Sequence, residues 1–129
     1  MTDQDYRNTI AQNWLLKAED AYETASLLLR EKRFVGCVNR LYYAVFYAVS
    51  AALAKDGKEY GKHTAVRAAL HRDYVKTEKI PPECSKIYDE LFEDRQEGDY
   101  KPQTNFDEAD IRKLFVDTRT FLNHFKAIL

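Results

Sequence analysis

Residues 36–55 read GCVNRLYYAVFYAVSAALAK, and within this stretch only Arg40 and Lys55 carry charge. Val38, Leu41, Tyr42, Val45, Phe46, Val49, Ala52 and Leu53 recur at steps of three and four residues, the period of a helix. Most of the remaining positions are apolar too, so the helix is buried around most of its circumference and the other elements pack around it. Asp56-Gly57 closes it, because glycine tolerates the left-handed conformation common just past a helix C-terminus. The apolar run Leu41 to Ala54, interrupted by Ser50, is shorter than the ~18 or more residues of a membrane span.

On the N-terminal side, Trp14, Ala18, Ala21, Ala25 and Leu28, joined by Leu15, Tyr22 and Leu29, predict a helix from about Asp5 to Glu31 with one apolar face. Lys32 to Phe34 is a short connection. On the C-terminal side, Gly61 permits a bend, and Val66, Ala69, Leu70 and Tyr74 mark the narrower stripe of an outer helix from about His63 to Lys76. Pro81-Pro82 stops that helix and suits the first turn of the next, from about Pro82 to Glu97, with Ile87, Tyr88, Leu91 and Phe92 inward. Gly98 and Pro102 bracket a loop reaching Asn105. Asn105 with Glu108 resembles a capping box that opens a last helix, whose inward side carries Ile111, Leu114, Phe115, Thr118, Phe121, Leu122 and Phe125. No stretch alternates as a half-buried strand does, and nothing repeats. The expected fold is all-α, an up-down bundle of about five helices, with residues 1–129 forming one domain.

At 129 residues and 45% hydrophobic, the chain can bury a core without disulfides or a structural metal. Cys37 and Cys84 lie far apart without a CxxC partner, and His63, His71 and His124 are not spaced as a ligand cluster, so no metal is expected. Both cysteines are expected as small buried hydrophobes. No cofactor is implied. The first residues are polar and acidic with no apolar segment behind them, so a soluble, cytoplasmic protein is expected. A net charge of -1 argues against a strongly basic nucleic-acid binder. Charge is unevenly spread, however: Lys55 to Lys79 holds seven Lys/Arg against four Asp/Glu, and Glu83 to Asp110 holds ten acidic residues against three basic ones. Such asymmetry either steers a charged partner or reflects alternating solvated faces.

Two groups of residues could carry chemistry. A guanidinium inside the most apolar helix is expensive to bury unless paired, and Arg40 shares one helix face with Tyr43 and Tyr47. Either an internal ion pair or snorkelling explains Arg40, or this edge faces a ligand or partner. The second group is Asp94-Arg95-Gln96-Glu97-Gly98-Asp99-Tyr100, where Arg95 and Asp99 stand four apart at a helix end and Tyr100 begins the loop. Arginine with tyrosine offers a phosphate fork and a stacking or hydroxyl group, suited to nucleotides or RNA; the alternative is a helix-terminal salt bridge beside a packed tyrosine. Asp99 is also a possible partner for Arg40.

Val38-Asn39-Arg40-Leu41-Tyr42-Tyr43-Ala44-Val45-Phe46, then Lys62-His63, Ile80-Pro81 and Arg95 through Asp99-Tyr100, followed by the helix bearing Phe121, together resemble the HEPN domain family in its stand-alone prokaryotic form. The resemblance covers nearly the whole chain. It implies a four-helix-bundle core, a homodimer, and pairing with an MNT-type nucleotidyltransferase in a toxin-antitoxin system. It also implies a nucleotide, RNA or partner surface formed by Arg40, Tyr43, Tyr47, His63, Arg95, Asp99 and Tyr100.

Many members of that family are metal-independent ribonucleases with an Arg-x(4-6)-His motif. Counted from Arg95, that window ends at Tyr100, Lys101 or Pro102, so the histidine is missing. Tyrosine titrates too high to replace it as a base near neutral pH. Arg119 and His124 fit the spacing literally, but five residues along a helix is about 140° of rotation, so the pair diverges. The leading expectation is therefore a nucleotide- or RNA-binding module without the usual ribonuclease site. The alternatives are a ribonuclease toxin that uses His63 or His124, and a non-catalytic dimerisation subunit. By the same resemblance, Tyr100 matches a tyrosine that accepts adenylyl groups from the partner enzyme.

Overall fold

Thr2 opens the first helix. Its Oγ1 accepts from the Asp5 backbone N–H at 3.0 Å, and its own N–H donates to Asp5 Oδ2 at 3.0 Å, a reciprocal cap that satisfies two otherwise orphaned donors. In this computed structural model, which describes residues 2–101 and 105–129, α1 therefore runs Asp3–Arg30, starting two residues ahead of the expected Asp5. Thr-x-x-Asp is a shorter-armed version of the usual Thr-x-x-Glu signal, which is why it escaped notice.

Lys32 ends α1 in the left-handed region, with φ 58. Its N–H bonds to Leu29 O at 3.0 Å and that of Arg33 to Leu28 O at 2.8 Å, the double bond of a glycine-type C-cap made here by lysine. This tight turn folds α2, Phe34–Lys55, back along α1. At its other end α2 stops by the same device, now with the expected glycine: Gly57 has φ 77, and Lys58 N–H reaches Leu53 O at 2.8 Å.

α2 is the centre of the bundle and packs against every other α-helix. By length and composition it could cross a membrane, yet 67% of its most apolar window is buried within the protein. Cys37, Leu41, Tyr42, Val45 and Val49 are all inaccessible to solvent.

α3, His63–Ala69, is shorter than expected, because Leu70–Val75 widens into a π-helical turn with Lys76 N–H bonded to His71 O. Leu70 and Tyr74 remain buried in that turn, so the apolar stripe reads the same through both helix types. Tyr74 Oη donates to Asp56 Oδ2 at 2.7 Å and Lys55 Nζ to Leu129 O at 2.9 Å, tying the end of α2 to the π turn and to the C-terminus.

Pro82 starts α4 as expected, but the helix continues to Tyr100 rather than stopping near Glu97. Gly98 is inside it, not in a loop. A Cβ there would lie 3.3 Å from Val35 Cγ1 and 3.5 Å from Phe106 Cε2, so the glycine lets the start of α2 and the approach to α5 close on α4. Pro102, the expected far bracket, lies outside the described residues. α5 spans Glu108–Ile128 and is capped by Asp107, whose side chain accepts from Ala109 N–H at 3.1 Å. The expected Asn105 cap is two residues too early.

Buried residues from all five helices and the π turn form one continuous apolar cluster. Both thiols lie in it, and burial pushes Cys37 up to about 11 and Cys84 up to about 12.

Candidate functional site

Tyr42 and Tyr43 are consecutive on α2, yet one ring is fully buried and the other half-exposed, and the two meet edge to face at 5.3 Å. Two other elements, and α2 itself, bring polar side chains to this pair. His63, the first residue of α3, places Nδ1 2.8 Å from Tyr42 Oη and rests against Phe46 at 4.3 Å. Arg95, from α4, spreads its guanidinium over both rings, 4.7 Å from the centre of Tyr42 and 5.9 Å from that of Tyr43. Arg40 covers Tyr43 from the α2 side at 4.8 Å. Arg40, His63 and Arg95, separated by 55 residues of sequence, thus converge on one aromatic pair.

The electrostatics follow from these contacts. The Arg95 side chain is only 11% exposed; Nη1 reaches Asp99 Oδ2 at 3.4 Å, and Nε is buried without a hydrogen-bond partner among the described residues. Arg40 does not meet Asp99. Its Nε and Nη2 donate to Asn39 Oδ1 at 3.1 and 2.9 Å, and Asn39 Nδ2 in turn points to Asp99 Oδ2 at 3.5 Å. Asn39 therefore links the two arginines through Asp99. Among the described residues Arg40 has no carboxylate partner, so its stabilisation comes from an aromatic face and an amide. His63 is held below the usual histidine range by burial first and by the charge of Arg95 second, which favours the neutral imidazole.

Tyr47 extends the aromatic row 5.7 Å beyond Tyr43. Trp14 of α1, expected as an ordinary core residue, stacks on Tyr47 at 5.6 Å, and Lys17 Nζ lies over both rings at 5.3 and 5.5 Å. Asn39, Trp14 and Lys17 were not among the expected site residues. The Trp14 and Lys17 spacing on α1 suits a helix face of any kind, and only the antiparallel packing of α1 on α2 brings them to Tyr47.

Tyr100 stays apart from the cluster. It is the last residue of α4 rather than the start of a loop, is 76% exposed, and its side chain makes no hydrogen bond or ring contact among the described residues. Arg119 is also elsewhere: it forks onto Glu19 at 3.0 and 2.8 Å, covers Tyr22 at 4.3 Å, and joins α5 to α1 in a network that Lys126 completes. The contacts of Arg119 are with Glu19 and Tyr22, and none with His124 is found among the described residues. Of the remaining histidines, His71 Nε2 lies 3.1 Å from Asp89 Oδ1, beside the Arg67–Asp89 pair. Among the described residues no group of His, Cys, Asp and Glu is placed to hold a metal ion.

An all-helical bundle with arginines and a histidine gathered on a tyrosine-rich central helix defines a class of small α-helical domain. The chain belongs to the HEPN domain family, whose model matches residues 11–128. It is 36% identical over 123 residues to the "UPF0332 protein" of Thermotoga maritima, covering 95% of this chain and 93% of the relative. It is also 27% identical over 113 residues to a Methanocaldococcus jannaschii protein named as a candidate toxin, covering 88% of this chain and 77% of that one.

Proposed function

We propose that this HEPN domain binds a nucleotide or RNA through the Arg40, His63 and Arg95 cluster, without the family's usual Arg-x(4-6)-His ribonuclease site. The observation that carries the reading is the convergence of two guanidiniums and an imidazole on Tyr42 and Tyr43. Guanidiniums provide phosphate forks, Tyr43 and Tyr47 provide stacking surface, and Asp99 with Asn39 holds the arginines in place. A relative named as a candidate toxin supports a toxin-antitoxin setting; in this reading the chain is a cytoplasmic homodimer that works beside an MNT-type nucleotidyltransferase.

Tyr100 is the acceptor site in this reading. Its exposure at the end of α4 leaves Oη open to a partner enzyme. Transfer would join Oη to the α-phosphorus of ATP, release pyrophosphate, and pass the phenol proton to solvent. A direct test incubates the chain with ATP and an MNT-type nucleotidyltransferase and weighs the product. One added adenylyl group that is absent from Tyr100→Phe supports the assignment. An equal gain in the variant, or no gain with an enzyme active on another substrate, refutes it.

One observation favours a second reading, a ribonuclease with His63 as base: the imidazole is held neutral beside Arg95. The proton on the 2.8 Å bond then decides the role. If His63 Nδ1–H donates to Tyr42 Oη, Nε2 is free to take the proton of a ribose 2'-hydroxyl. The resulting oxygen attacks the adjacent phosphorus, the bond from phosphorus to the 5'-oxygen breaks, the 5'-oxygen takes a proton from solvent to leave a 2',3'-cyclic phosphate behind, and Arg95 stabilises the added charge. If Tyr42 donates instead, Nε2 carries the proton and serves as a phosphate ligand. RNA cleavage in the presence of chelator, lost in His63→Ala, selects the ribonuclease; intact RNA that still binds selects the binding module.

A further inference from the structure

The proposed site occupies one end of a longer feature. From Arg95 the aromatic row runs through Tyr43 and Tyr47 to Trp14, with ring-to-ring steps of 5.7 and 5.6 Å. A cation sits on each stage: Arg40 over Tyr43, and Lys17 over both Tyr47 and Trp14. Neither Arg40 nor Lys17 has a carboxylate within ion-pair distance among the described residues, whereas at other helix contacts Arg119 has Glu19 and Arg67 has Asp89 and Glu93. The three rings are half-buried and Lys17 is exposed. Beside the row lies a groove of about 330 Å³ between α1 and α2, with Lys17 and Arg40 on its walls and Tyr47 between them. A second depression of about 240 Å³ continues along Trp14 toward Ile10. Asp20 is the one carboxylate lining the first groove, and Asp99 is engaged with Arg95 and Asn39.

This is the composition of a single-strand track. Bases stack on aromatic faces regardless of sequence, and phosphates recruit the interleaved cations. Duplexes present no free base faces to such a row. A cation resting on a ring is an exchangeable cover: when a base takes the ring face, the ammonium or guanidinium swings to the phosphate beside it, so each stage trades a cation–ring contact for a stack and an ion pair.

We infer that the Trp14, Tyr47 and Tyr43 row is a stacking track for single-stranded RNA leading into the Arg95 and His63 cluster, with Lys17 and Arg40 as its phosphate ligands. The inference rests on the proposed RNA-binding reading and adds to it the path of the strand, its single-stranded character and two residues of α1.

Trp14 is the chain's only tryptophan, so its emission reports the track directly. The full chain is titrated with an eight-nucleotide oligouridylate and, separately, with an RNA duplex of equal length, while anisotropy of labelled RNA follows total binding. The expected result is saturable quenching by the single strand and none by the duplex. Tyr47→Ala weakens the single strand by about 5-fold to 100-fold, as loss of one stacked base does. Lys17→Ala, at an exposed position, lowers the slope of log affinity against log salt by about 0.7. Binding by anisotropy with unchanged Trp14 emission overturns the track while leaving the RNA-binding reading in place. Absence of binding by both signals overturns both. Equal quenching by duplex overturns the track, and so does an emission change that follows protein concentration together with a dimer mass in sedimentation, because a second copy then covers the row.

Discussion

Tyr42 Oη and His63 Nδ1 stand 2.8 Å apart, joining the buried face of the central helix to the first residue of α3. The bond fixes the imidazole ring, and the direction of its proton determines what Nε2 offers to a ligand. Burial first, and the charge of Arg95 on the ring face of the same tyrosine second, lower the affinity of His63 for a proton, so a charge on α4 acts on the first residue of α3.

Tyr42→Phe removes this bond while keeping the ring that Arg95 covers. Stability is expected to fall by about 1–2 kcal/mol, the cost of leaving a half-buried imidazole nitrogen without its partner. Because the folded pKa of His63 is depressed, its contribution to stability is present above the ordinary value of 6.5 and is lost as pH falls below it. NMR titration of His63 in wild type and variant, with denaturant unfolding at pH 8 and pH 5, checks both statements. An unchanged midpoint in Tyr42→Phe would show that the bond is not formed.

Two helix ends make a paired prediction. Lysine at φ 58 and glycine at φ 77 close α1 and α2 by the same hydrogen bonds, but only glycine does so without steric cost. Lys32→Gly should stabilise by about 0.5–1 kcal/mol, since the one ion pair it sacrifices among the described residues, with Glu108 at 3.8 Å, is exposed. Gly57→Ala should destabilise by about 1–2 kcal/mol. Urea melts of the two variants read both signs.

Asp94 governs a pH effect on α4. Burial first, then the neighbouring Glu90, Glu97, Glu93 and Asp110, raise its carboxyl from 3.8 to about 6. A raised folded pKa means that the group's contribution to stability is present below its unfolded value and is lost as pH rises through about 6. Asp94→Asn should therefore raise the melting temperature at pH 8 and change it little at pH 4. Glu19 works the other way. Arg119 first, with Lys126, draws its carboxyl from 4.5 to about 2, so its contribution is present above 4.5 and is lost as pH falls toward 2; Glu19→Gln should flatten that acid limb. Equal shifts at both pH values would refute the Asp94 assignment.

Much of the bundle was legible because helical period survives in any sequence that buries one face: the inward residues expected for α4 and α5 are the ones that pack. What failed was punctuation. Gly98 reads as a breaker, yet its lack of a side chain serves contact with Val35 and Phe106, a reason that exists only once α2 and α5 are in place. At the site, the shared face of Arg40, Tyr43 and Tyr47 followed from helix geometry, whereas the Asn39 link to Asp99 crosses 60 residues and depends on the packing of α4 on α2. Trp14 was read as core because an aromatic at core spacing looks the same whether its outer face is covered or open.

The central proposal is that Arg40 and Arg95 form an RNA-binding cluster, and affinity for a labelled single-stranded RNA at fixed salt tests it most directly. Arg40→Ala and Arg95→Ala should each weaken binding by about tenfold or more, the loss of one charge-assisted contact, with folding verified by thermal melting. Arg112→Ala, at an exposed position one turn into α5 and paired with Glu108, should stay within about twofold of wild type. Three variants that bind alike, or folded Arg40 and Arg95 variants that bind as wild type does, would contradict it.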